Sequence, residues 1–199
     1  MIVWTIQPYS VYQQLQQQQI FSCDPRQSQN LQDEEFRVAY SWMVKQMIKQ
    51  IGLPPAGVTH PIWAWYRWDF QHKHPDFRTM HDYDDQVCLE LEMPDEQALL
   101  SDFDDWHTVL NDFYNPFVTN EEEFEAEFAW FENLPLKKQE QVKRKSWQRI
   151  FDVTPHRGEW TQNGAFVQVC FWQLHMRQVR KVWRMKRGKK VALMTSSSF

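Results

Sequence analysis

Residues Ile62-Trp63-Ala64-Trp65-Tyr66-Arg67-Trp68 alternate with a period of two, the pattern of an extended strand. Ile62, Ala64 and Tyr66 fall on one side, Trp63, Trp65 and Arg67 on the other, and both faces are demanding. Val87–Met93 alternates again, with Leu89 and Leu91 opposite Glu90 and Glu92, and Pro94 closes it. Ile2–Ile6 reads as a third strand, and Pro8 then opens a helix through Tyr12 and Leu15 that ends in the polar run Gln16–Gln19. Between these lies a stripe of period 3.6, Phe36, Tyr40, Met43, Met47 and Ile51, with Asp33 as its expected cap and Gly52 and Pro54 as its stop.

The C-terminal half continues the mixture. Phe103, Trp106, Leu110 and Phe113 share a helical stripe behind Ser101 or Asp102 as cap, and Glu121–Glu132 and Pro135–Arg149 form a second helical region, acidic and then basic. Asn163-Gly164 marks a turn into a strand over Ala165–Leu174, and Val179–Met185 is the last strand. Strands and helices alternate here without βαβ regularity. The expectation is one α+β domain over residues 1–185: small split mixed or antiparallel sheets of about five strands, flanked by four or five helices, the first and late strands adjacent. Residues 186–199 read as a basic tail that frays.

Composition narrows the function classes. Five glycines in 199 residues leave no GxGxxG and no GxxxxGK[ST], so Rossmann and P-loop chemistry is not expected, and GxSxG is absent as well. Cys23, Cys88 and Cys170 are odd in number and far apart, which suits reduced, buried thiols. No apolar run reaches the length of a membrane span and the N-terminus lacks signal-peptide features; a cytoplasmic protein with no membrane partner is expected. His72, His74, His81 and Asp82 are metal-ligand types, but their spacing matches no metal motif, and a solvated loop is the expected role. No metal is assigned.

Aromatic residues are 16% of the chain, including 11 Trp, more than a core of this size needs. Some of these rings are expected to line a groove; Trp63, Trp65 and Tyr66 with Arg67 could stack on a base and pair with a phosphate, or could simply be a heavy core strand. Asp102, Asp104, Asp105 and His107 sit within about one helical turn. Asp104 and His107 face each other at i, i+3, so an Asp-oriented imidazole base is physically possible, although capping accounts for at least one carboxylate. Charge is split: residues 1–136 carry net −16 and residues 137–199 net +12. The basic third could attract nucleic acid through Lys143, Arg144, Lys145, Arg180 and Arg184, or it could neutralise the acidic part across the fold.

Several blocks taken in order carry a family resemblance: Trp4-Thr5-Ile6-Gln7 with Tyr12, Tyr40-Ser41-Trp42-Met43, Pro61-Ile62-Trp63-Ala64-Trp65, Leu100-Ser101-Asp102-Phe103-Asp104-x-Trp106-His107, and Gln168 to Val182. Together they resemble the bacterial family known as domain of unknown function 3841. More distantly, the order of strands is similar to the ADP-ribosyltransferase superfamily, which holds NAD in a cleft between two small sheets. That likeness implies roles for Thr5 and Gln7 on the first strand, Trp63 or Trp65 on the middle strand and Gln168 on the late strand. Gln168 is neutral and removes no proton, so His107 or Asp104 would act as base, with Asp102 and Arg67 beside the cofactor. The implied activity is NAD-dependent ADP-ribosyl transfer to nucleic acid or protein; the alternative is a non-catalytic nucleic-acid-binding module using exposed Trp and the basic third.

Overall fold

The computed structural model describes residues 1–28, 31, 33–77, 85–158, 160, 162–187, 189 and 191–194. His81 and Asp82 of the histidine-rich loop lie outside the described residues. The chain runs β1 (Ile2–Pro8), α1 (Tyr9–Gln18), β2 (Ile20–Ser22), α2 (Arg37–Ile51), β3 (Ile62–Arg67), β4 (Asp85–Glu92), β5 (Leu99–Asp102) and α3 (Phe103–Leu110). It continues with α4 (Glu121–Glu132), α5 (Leu136–Ser146), a 3₁₀ turn (Trp147–Phe151), β6 (His156–Arg157), β7 (Gln162–Asn163), β8 (Val167–Phe171), β9 (Gln173–His175), β10 (Val179–Lys186) and β11 (Ala192–Leu193).

The α+β class holds. Seven strands join one antiparallel sheet in the order β11-β10-β4-β1-β3-β8-β5, and β2-β9 and β6-β7 form two small ribbons. The extra strands beyond about five are two to four residues long, too short for a period of two to register in sequence. One topological expectation is corrected: β1 and β8 are not adjacent but flank β3, with Trp65 opposite Trp4 on one side and Gln168 on the other. Alternation fixes which face a residue takes but not which strand lies beside it. Within the expected tail, Ala192 and Leu193 pair as β11 with Arg184 and Trp183, while 188, 190 and 195–199 lie outside the described residues.

Cross-strand register sorts the side chains as the alternation requires. On one face Val3, Ile62, Ala64, Leu89, Leu91, Val169 and Val182 pack with Tyr12 and Leu15 of α1 into a single cluster. Full burial of an aliphatic side chain such as Leu15 stabilises by roughly 1.5–3 kcal/mol. On the opposite face Leu99 and Cys170, with Trp63 against them, are covered by Ala39, Tyr40, Met43 and Met47 of α2, Trp106 and Val109 of α3, and Trp147 and Ile150 of the 3₁₀ turn. Trp147 and Ile150 follow the basic helix directly, so the acidic and basic parts of the chain share this core. At the far end of that face Trp4, Cys88 and Met185 make a third cluster.

Helix α2 starts later than its stripe suggests. The Asp33 carboxylate accepts from the Glu35 N–H at 3.0 Å and so caps the turn ahead of it, and the α-helix proper begins at Arg37. Gly52 ends it at φ 92°, a conformation that glycine adopts freely. No helix among the described residues is long and apolar enough to cross a membrane.

Candidate functional site

A pocket of about 580 Å³ opens where α1 and the segment after β2 face α2 and α3 across the ends of β1, β3 and β8. Such a volume falls within the usual range of small-molecule sites. Of the residues singled out in the sequence, Gln7, Trp63, His107 and Gln168 line it; Thr5, Trp65, Arg67, Asp102 and Asp104 do not.

Each exclusion has a physical cause. Thr5 is fully buried; its hydroxyl donates to the Trp63 carbonyl at 2.8 Å and accepts from the Gln7 side-chain amide at 2.8 Å, so it acts as a support for Gln7. Trp65 packs edge-on to Trp68 at 4.8 Å and against Phe103 at 5.0 Å. Arg67 spends its guanidinium on the Val153 and Gly164 carbonyls, at 2.8 and 2.9 Å. Asp102, 1% exposed, caps α3 by accepting from the Asp104 and Asp105 N–H groups and also takes the Gly164 N–H. Asp104 is on the surface, where desolvation by the surrounding protein and then Asp102 raise its carboxyl, with His107 opposing.

Tyr40, Trp63 and Trp106 form the aromatic wall. Their centroids lie 5.1 to 6.3 Å apart, with Tyr40 edge-on to both tryptophans. Trp106 is 3% and Tyr40 9% exposed, so these two rings are spent on one another and on the core, and Trp63 is the ring left to meet a ligand. The sequence stripes placed Tyr40 and Trp106 in the core, which is accurate as far as it goes. That their edges also border a cavity arises only where α2 and α3 meet.

The opposite wall holds Cys23 and Asp24, which no sequence motif marked. The Arg26 side chain and backbone N–H hold the Asp24 carboxyl down to about 2, so it is charged at any ordinary pH. Burial, and secondarily Asp24, raise the Cys23 thiol, which leaves it a poor nucleophile at neutral pH. No Lys or Arg is among the described lining residues. The Arg26 guanidinium holds both Asp24 oxygens at 3.0 Å and offsets the charge, so this wall is polar without a net sign.

Two polar groups remain open for chemistry. The Gln168 Oε1 is buried without a hydrogen-bond partner, cross-strand from the likewise unpartnered Ser101 hydroxyl. His107 Nδ1 lies 2.9 Å from the Phe103 carbonyl, and because a carbonyl only accepts, Nδ1 carries the proton. In the neutral ring Nε2 is therefore the basic nitrogen. His72 and His74 are engaged elsewhere, by the Ile2 and Pro75 carbonyls, and no group of three His, Cys, Asp or Glu among the described residues is placed to hold a metal ion.

A family model described as domain of unknown function (DUF3841) matches residues 2–180. The chain belongs to the DUF3841 family. No curated protein and no solved structure matches it. Every residue that lines the pocket in this DUF3841 protein falls inside the matched span.

Five cations in the basic third of this DUF3841 protein are paired with its own carboxylates. Lys143 pairs with Asp112 at 2.6 Å and Glu140 at 2.8 Å, and Arg144 with the same two carboxylates while lying over Trp147. Arg180 pairs with Glu92, Lys181 with Glu90, and Arg184 with Asp85 while lying over the Tyr9 ring. Of the five cations considered for nucleic acid, Lys145 alone has no ion pair among the described residues.

Proposed function

We propose that this DUF3841 protein is an ADP-ribosyltransferase-like enzyme that takes the nicotinamide end of NAD into the pocket and modifies a nucleic-acid or protein acceptor. The observation that carries the reading is Gln168, whose buried Oε1 lacks a partner on the pocket wall. An orphaned buried acceptor costs about 1–3 kcal/mol, and a ligand hydroxyl or amide donor reached by a small turn of the side chain recovers it.

The remaining residues fit in kind. Trp63 offers a face to a flat ring. With no Lys or Arg among the described lining residues, the pyrophosphate would rest against lining amides such as Gln14 and Gln27. NAD supplies a glycosidic bond whose cleavage leaves neutral nicotinamide. Gln168 orients a ribose hydroxyl without taking its proton, and His107 Nε2 accepts the proton of the attacking group. The internal pairing of Lys143, Arg144, Arg180 and Arg184 favours this reading over a nucleic-acid groove that depends on free cations.

The test is a thermal-shift series with NAD, nicotinamide and short single-stranded RNA and DNA, followed by mass spectrometry for an added ADP-ribose. NAD at about a hundred times its dissociation constant should stabilise the fold by roughly 2.7 kcal/mol, a few degrees in melting temperature. No shift with NAD and no adduct, beside a salt-sensitive shift with single strands, retires the transferase in favour of the binding module.

A further inference from the structure

Helix α4 carries six glutamates and no cation, while α5 carries five cations and one glutamate, and neither helix has a buried residue. A surface helix normally buries one stripe against its own core. Here the stripe is left out: every Phe or Trp that is more than about a third exposed among the described residues, Phe113, Phe117, Phe124, Trp130 and Trp160, lies in or beside this hairpin, and Leu136 at the start of α5 is 82% exposed. The hairpin is nonetheless anchored. Tyr114 stacks on Phe131 with centroids 4.4 Å apart, donates its hydroxyl to Glu127 at 3.0 Å and meets one edge of Trp130 at 6.5 Å, which still leaves Trp130 49% exposed.

Charge identifies the occupant. Lys143 and Arg144 pair with Asp112 and Glu140, not with α4, and no ion pair among the described residues joins the two helices. Glu121, Glu122 and Glu125 on α4 and Lys137, Lys138 and Lys145 on α5 are exposed, with no ion pair among the described residues. A basic partner would complement α4 alone, and an acidic partner α5 alone. A second copy related by a two-fold axis complements both at once, α4 of each chain against α5 of the other. We propose that this protein forms a symmetric homodimer through the α4 and α5 hairpin, with Trp130 and Leu136 as its apolar contacts and the unpaired carboxylates and lysines as a complementary rim.

Sedimentation velocity over a range of micromolar concentrations tests this on the full chain, with circular dichroism melts to confirm that each variant folds. Wild type should be dimeric and dissociate more readily as salt rises. Glu122→Lys with Glu125→Lys should weaken the dimer by about tenfold or more, and so should Lys137→Glu with Lys138→Glu. Mixing the two reversed variants in equal amounts should restore a dimer, because each then presents the charge that the other lacks. Trp130→Ser, which leaves the rim charges alone, should also weaken it. A wild type that stays monomeric overturns the proposal, as does a dimer indifferent to all three changes or a failure of the folded reversed pair to associate.

Discussion

The Gly164 N–H donates to the buried Asp102 carboxylate across 2.7 Å, joining the cap of α3 to a turn 62 residues further along the chain. Asp102 also accepts from the Asp104 and Asp105 N–H groups at 3.0 Å, so one side chain sets where α3 begins and thereby where Trp106 and His107 stand. Asp102→Ala should cost about 2–4 kcal/mol, the sum of a lost cap and a buried donor left unpaired. Asp102→Asn, which keeps an acceptor oxygen, should cost less. Urea denaturation measures both.

Gly164 is under a second constraint. Its φ is +68°, and a Cβ there would come within 2.6 Å of the Val153 carbonyl and 2.9 Å of Arg67 Nη1, the group that ties the same turn to β3. Gly164→Ala should destabilise by about 1–3 kcal/mol through backbone strain and displacement of the carbonyl. A melting temperature equal to wild type would show that the turn has room to yield.

Asp105 gives a pH signature. Desolvation raises its carboxyl, against the opposing charge of Arg149, and its Oδ2 is buried without a partner. The folded state therefore holds this proton above the ordinary value of 3.8, so stability contributed here is present below that pH and falls as pH rises through the raised folded value. Asp105→Asn should melt higher than wild type at neutral pH, and the advantage should vanish below about pH 4, where both states of the wild type are protonated. Melts from pH 3.5 to 7.5 read this directly.

Trp63 and Trp65 sit two residues apart on β3 and should behave differently. Trp63→Ala should weaken NAD or nicotinamide binding by about 1–3 kcal/mol in stacking. Trp65→Ala should change affinity less than Trp63→Ala while lowering stability by about 2–4 kcal/mol, because that ring does not line the pocket and packs on Trp68 and on Phe103, which does. Titration calorimetry with each variant, beside its unfolding curve, separates the two effects.

His107 carries the sharpest kinetic expectation. If Nε2 takes a proton during transfer, His107→Asn should lower kcat by about 10²–10⁴ with KM little changed. A change in KM alone would assign the residue to binding. Thr5→Val should act the other way, releasing Gln7 from its 2.8 Å hydrogen bond and raising KM more than it lowers kcat.

Much of this was legible in the residues. The alternation in Ile62–Arg67 and Val87–Glu92 assigned those side chains to opposite faces as the two clusters now show, and the stripe through Tyr40, Met43 and Met47 found the buried face of α2. Local chemistry is enough for this, since strand and helix periods are properties of neighbours in sequence. A cap at Ser101 or Asp102 was equally visible, although the choice of Asp102 and its bond to Gly164 were not.

What the sequence could not decide was adjacency. Pairing of β1 and β8 with β3 instead of with each other, Cys23 and Asp24 facing Trp63 across a cavity, and Arg184 meeting Asp85 are all encounters between residues far apart in the chain, chosen by the total packing of both sheet faces. Charge patterning recorded a basic third and an acidic remainder. Only the folded arrangement decided that Lys143, Arg144, Arg180, Lys181 and Arg184 meet carboxylates and that Glu122 and Glu125 of α4 and Lys137 and Lys138 of α5 have no ion pair among the described residues, because an ion pair depends on a separation of a few ångströms that composition does not contain.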